Sequence, residues 1–207
     1  LRNPALAWLF AFSVVLFVLA HVPYEFYQPY LQLLDAGEML GRSDAPSVSG
    51  LLMSLTMLIG AWAAGRSVHW RDRVGLGALL LTAGFVQLLV VAGLGLWLHA
   101  GIVALVLFRN MPMAMVRAPV NAAIVPRVAT TQRATYLSIQ SLASRLAFAA
   151  LLASLSFSVD KAAMDWQSLS FILLLCAGLG LVSLLLLLVT VKSLRGEKQA
   201  TGACDSA

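Results

Sequence analysis

Residues 169–191 read LSFILLLCAGLGLVSLLLLLVTV, 23 residues without a charge, set between Asp165 and Lys192. A helix rises ~1.5 Å per residue and the hydrocarbon core of a bilayer is ~30 Å thick, so this stretch is long enough to cross one. It lacks the period-two alternation of a barrel strand, and in hydrocarbon its amides can then be satisfied only as a helix. Five more stretches of the same kind precede it, at 4–30 (the purely apolar part ending at Val22), 48–64, 74–98, 100–125 and 136–159. The reading is an all-α membrane protein: one bundle of six transmembrane helices over 1–191, then a polar, small-residue stretch at 192–207 expected to be a disordered cytoplasmic tail.

Composition agrees with that solvent. Hydrophobic residues make up 60% of the chain and charged residues 11%, with a mean hydropathy of +0.88; soluble domains carry about a quarter charged residues. The charges alternate across the stretches. If the first span runs outward, Arg2, Arg66, Arg71, Arg73, Arg117, Arg127, Arg133, Lys192, Arg195 and Lys198 fall in the cytoplasm, and only Arg42 and Lys161 fall outside. Ten against two predicts that both ends are cytoplasmic. The net charge of +5 is thereby explained as topology. No basic segment is interleaved with stacking aromatics, so membrane lipid and no nucleic acid is the expected partner.

Other chemistries find little support. Cys176 and Cys204 suggest neither a disulfide nor a metal site, His21, His69 and His99 lie in different compartments, and no Gly-x-Ser-x-Gly elbow is present. A membrane-embedded enzyme would need a convergent constellation that the chain does not offer, and no metal or cofactor is expected. A non-transporting anchor or receptor would have no reason to retain arginines inside its spans. Residue 1 is Leu and no cleavable signal precedes the first span, so the chain is expected to be cut from a longer protein.

Arg109 and Arg145 are the two basic residues that topology leaves over. Counted from Ala100, Arg109 lies roughly 13 Å into the fourth span, close to the middle of the core. A charged side chain there costs from about 2.5 kcal/mol upward unless it meets a partner or a wet cavity. Arg109, Met113, Arg117 and Asn121 recur every four residues and are expected to share a water-lined helical face, with Asn110 adjoining. The alternative is an arginine locking two helices, yet no carboxylate is expected at that depth. Glu25 lies ~30 Å along the first span, near its outer end. His21, Tyr24, Glu25 and Gln28 are spaced i, i+3, i+4, i+7 and form a polar stripe. That stripe could hold a substrate or carry a proton-coupling carboxylate, or, with Tyr27 and Tyr30, form an interfacial belt. Arg145, ~18 Å into the fifth span, shares a face with Ser138 and Ser141 and serves close packing or coupling.

The first and fourth stretches are both long, interrupted by proline and polar in their second halves, whereas the third and sixth are nearly featureless. Two triplets that each begin with a broken, polar member and end with a greasy one suggest a 3+3 inverted repeat, the architecture of secondary transporters.

Particular residues carry a family likeness. Asp72, Arg73 and Gly75 match the Asp-Arg-x-Gly ending of a signature that the major facilitator superfamily (MFS) carries between the second and third spans of each half. Arg133-Ala134-Thr135-Tyr136-Leu137-Ser138 with Ser141 and Arg145-Leu146 resembles the eleventh helix of many bacterial members. Arg109, Pro112, Asn121 and Pro126 resemble the tenth, and Tyr27-Gln28-Pro29-Tyr30 the outer end of the seventh. The resemblance covers nearly the whole chain, as the C-terminal half of an MFS fold. It implies a secondary transporter of a small-molecule substrate in a bacterial inner membrane, with an N-terminal six-helix half missing from this chain. By that resemblance spans one and four line the cavity, two and five face the other half, three and six meet lipid, and Asp72 and Arg73 form a cytoplasmic gating loop.

Overall fold

The computed structural model describes residues 3–33, 45–99, 101, 103–156 and 165–191. Apolar runs of this length, once their ends are capped, leave the backbone no alternative to helix. Among the described residues there are α1 (Pro4–Leu33), α2 (Ala45–Val74), α3 (Leu76–Leu96), α4 (Val103–Leu107), α5 (Met111–Ile124), α6 (Arg133–Ser156) and α7 (Trp166–Thr190), with no strand. Five of them, α1, α2, α3, α6 and α7, are long and apolar enough to cross a membrane. Asn3 starts α1 by accepting the N–H groups of Ala5 (2.8 Å) and Leu6 (3.3 Å), ahead of Pro4, which needs no donor in a first turn. Asp165 starts α7 in the same way through the Ser168 N–H at 2.9 Å. The hydroxyl and N–H of Ser168 hold the Asp165 carboxyl below its ordinary pKa.

The core runs along α1, where Leu9, Phe12, Leu16 and Leu19 are buried against α3, α6 and α7. Lipid tails are as apolar as leucine, so helices here are drawn together by close packing and hydrogen bonds rather than by escape from water. Both devices are present. A methyl group added at Gly180 would stand 2.5 Å from Leu19 Cδ2, and one at Gly84 2.7 Å from Leu184 Cδ2, so glycine sets the α1–α7 and α3–α7 distances. Trp8 Nε1 donates to the Leu187 carbonyl (2.9 Å), Tyr136 Oη to Leu6 (3.0 Å) and Ser170 Oγ to Gly95 (2.6 Å), each tying one helix to another. At the far end of α1, Tyr30 Oη donates to the Trp97 carbonyl at 2.6 Å and accepts the His99 N–H at 3.2 Å.

Several sequence expectations change. The second helix does not stop at 64 but continues to Val74, because Arg66, His69 and Arg71 end an apolar run without ending a helix. The expected gating loop is therefore no loop. Asp72 and Arg73 sit in the last turn of α2, Asp72 pairs with its neighbour Arg71 at 2.7 Å, and a single residue, Gly75, joins α2 to α3. Gly75 has φ 84°, a left-handed conformation that a residue with a Cβ resists, which is how so short a joint is made. The fourth stretch, expected over 100–125, is divided into α4 and α5, whereas the first, expected to be the equally broken one, is a continuous helix of 30 residues.

The third helix also departs from its expected lipid-facing role. Within their most apolar windows α3 is 67% buried, against 22% for α2, 17% for α6 and 39% for α7. Composition could not foresee this, since a helix apolar all round suits protein and lipid surroundings alike. The tail expected at 192–207 and the loop charges Arg42 and Lys161 lie outside the described residues.

Candidate functional site

Proline decides where the fourth stretch breaks. Pro112 has no N–H for the Phe108 carbonyl one turn back, and its ring crowds that carbonyl. The chain responds with tighter bonds: Phe108 N–H to Leu105 (3.0 Å), Arg109 N–H to Val106 (3.2 Å) and Met111 N–H to Phe108 (3.0 Å). Each spans three residues rather than four, so α4 ends at Leu107 and α5 begins anew at Met111 with Asn110 as its N-cap. Arg109 is carried on that turn. Arg109 is buried whereas Arg117 and Asn121 are exposed, an interruption of the pattern that the period of four, which assumed an unbroken helix, did not foresee.

Its side chain is 5% exposed and lies between α1 and α2. The guanidinium carbon stands 5.1 Å from the Tyr24 ring centre and 5.3 Å from that of Tyr27, while Nη2 reaches Met53 Sδ at 3.5 Å. Nε and Nη1 are buried without a hydrogen-bond partner among the described residues. The balance is unfavourable as it stands. Two cation–π contacts contribute about 0.5–2 kcal/mol each, a thioether is a weak acceptor, and each buried charged donor left unsatisfied costs about 1–3 kcal/mol or more.

The cavity beside this guanidinium has a volume of about 280 Å³. Tyr24, Glu25, Tyr27 and Gln28 of α1 line it together with Arg109, and Leu52, Met53, Thr56, Val106 and Leu107 supply a less polar wall. Counting residues along straight helices had set Glu25 and Arg109 at different depths. The fold brings them to one cavity because Glu25 lies only five residues, ~7.5 Å, inside the Tyr30–Trp97 clasp, and the short α4 reaches a similar level before it turns. They nevertheless form no ion pair, their N···O separation exceeding 4 Å.

The other residues singled out in the sequence fall elsewhere. His21 is a turn away from Glu25, its Nδ1 2.8 Å from the Phe17 carbonyl and its ring stacked on Phe17 at 3.8 Å, and it does not line the cavity. Asn110 points to Met57 Sδ at 3.8 Å, and Met113 packs on the core. Arg145 is exposed on α6, whose buried residues are Gln140, Ser144, Phe148 and Leu155. Depth along a helix says nothing about which face a residue occupies. Met53 and Thr56 were missed, although Thr56, Gly60, Ala63 and Ser67 form a stripe of small residues at helical spacing that is the buried side of α2. No protein-family model, no curated protein and no solved structure matches this chain.

Proposed function

We propose that this chain supplies one six-helix half of a secondary transporter of the major facilitator type, the fourth of its helices being the broken pair α4 and α5. The observation that carries the reading is Arg109: a buried guanidinium with two unpartnered N–H-bearing nitrogens, beside a 280 Å³ cavity that also receives Tyr24, Glu25 and Gln28. A merely structural arginine would be expected to have its donors satisfied by the helices it joins.

The packing order supports the same reading. α1 rests on α6 and α7 as α5 rests on α2 and α3. These pairs exchange under a swap of the first three spans with the last three, as a 3+3 inverted repeat requires. Two faces call for a second bundle. Among the residues of α2 whose burial is described, only Thr56, Gly60, Ala63 and Ser67 are buried, and α6 leaves Leu142, Arg145 and Leu146 open. Lipid would suit the leucines, whereas an arginine facing lipid costs about 2.5 kcal/mol or more. We therefore place the other half of the transporter against α2 and α6, with both ends of this chain in the cytoplasm of a bacterial cell and a small solute as cargo. Asp72 and Arg73, at the end of α2, face the cytoplasmic gate.

Alternating access is tested without knowing the solute. In the intact protein with Cys176 and Cys204 replaced by Ser, Gln28→Cys is expected to react with a membrane-impermeant maleimide in right-side-out and in inside-out vesicles. Reaction from one face only would refute the transporter reading.

A further inference from the structure

The charges of the cavity specify more than a small solute, an inference that rests on reading this cavity as the solute site. Arg109 and Glu25 are of opposite sign, line one cavity and do not touch. Arg109 is held in place by Tyr24, Tyr27 and Met53, while Glu25 is exposed and its carboxylate has no hydrogen bond to another group among the described residues. The same cavity is lined by the apolar Leu52, Val106 and Leu107.

Four classes of solute can be compared on this frame. A neutral solute leaves the guanidinium without an ionic partner. A simple cation is repelled by Arg109. A simple anion satisfies Arg109 but adds a second negative charge beside Glu25, unless a proton accompanies it. A dipolar solute satisfies both ends at once, and its carbon body can lie on the apolar wall. The geometry points to a zwitterionic amino acid, its carboxylate paired with the Arg109 guanidinium and its ammonium with Glu25.

The probes are four amino acids, glycine, L-alanine, L-leucine and L-phenylalanine, each with its matched carboxylate lacking the amine and its matched amine lacking the carboxylate. For leucine these are 4-methylpentanoate and 3-methylbutylamine. Binding to the intact purified protein is read by the ligand-induced rise in unfolding temperature across a concentration series. At least one amino acid is expected to bind, with both matched analogues at least tenfold weaker, since each lacks a charge-assisted contact worth about a factor of ten or more. Glu25→Gln should erase the preference for the amino acid over its carboxylate. Arg109→Ala should abolish binding of amino acid and carboxylate, and Arg109→Lys, which keeps the charge if the alanine variant does not fold, should weaken both by the same factor.

Three results overturn the proposal: a carboxylate that binds as tightly as its amino acid while a proton is taken up, an amine that binds more tightly than either, or no binding by any of the four amino acids. The vesicle experiment with Gln28→Cys is independent of all three. Labelling from both faces without amino-acid binding refutes the zwitterion and leaves the transporter standing; amino-acid binding with labelling from one face refutes the transporter and leaves a zwitterion-binding membrane protein.

Discussion

The first and fourth apolar stretches look alike in sequence and fold differently. Each contains prolines, yet α1 runs unbroken through Pro23 and Pro29 while the fourth stretch parts at Phe108–Asn110. What differs is the fate of the carbonyl that a proline leaves without its helical donor. Pro23 orphans the Leu19 carbonyl, and Gln87 of α3 reaches across to donate to it at 3.3 Å. Leu19 is 2% exposed, clamped by Gly180 of α7 and by that same α3. Phe108, the corresponding residue for Pro112, is 43% exposed. Its carbonyl is taken by the chain itself, through the tightened turn. Proline thus creates the vacancy, and the neighbours decide whether the helix continues or folds over.

The comparison can be broken most severely at Pro112. Pro112→Ala restores an N–H at that position, which can bond to the Phe108 carbonyl and draw α4 and α5 toward one helix, turning Arg109 away from Tyr24 and Tyr27. Ligand binding is expected to fall by about 100-fold, the scale that a misplacement of about 1 Å produces, while the unfolding temperature holds or rises. Unchanged binding would mean that the break does not set the arginine. The next effect is at the clamp on α1. Gly180→Ala should destabilise the bundle by about 1–3 kcal/mol, because Leu19 must move from a packed position, and maleimide labelling of the buried Cys176 on heating in a Cys204→Ser background reports it. The smallest effect sharpens the account of the carbonyl. Gln87→Leu should cost about 1 kcal/mol by unfolding, and Pro23→Ala should rescue it by returning an N–H to Leu19. Additive losses in the double variant would show that Gln87 does not serve that carbonyl.

Much of the helical framework was legible from the apolar runs, because a stretch such as 169–191 has one way to satisfy its amides in lipid. Arg109 stood out for the same reason, as a charge no topology rule accounted for. The limits were those of a one-dimensional reading. Hydropathy marks where apolar residues end, so it ended the second helix at 64 although Arg66 to Val74 remain helical. Counting depth along ideal helices set Glu25 apart from Arg109, since the break at Phe108 depends on what surrounds its carbonyl. The pattern 109, 113, 117, 121 failed at that same break. Gln87 lies in a span whose sequence is nearly featureless, and only the position of Pro23 on a neighbouring helix gives it a task.

Gly75 also gives the molecule a mechanical property. One residue separates the mostly exposed α2 from the deeply buried α3, so any tilt of α2 relative to α3 would have its fulcrum there. From Gly75 to Met53 is 22 residues, a rod of ~33 Å. A tilt of about 5° at the fulcrum then sweeps the Met53 thioether by roughly 3 Å, about the length of its contact with Arg109, at ~1.5 Å of rise per residue. A tilt at that end of the bundle would thus be amplified at the cavity near the other.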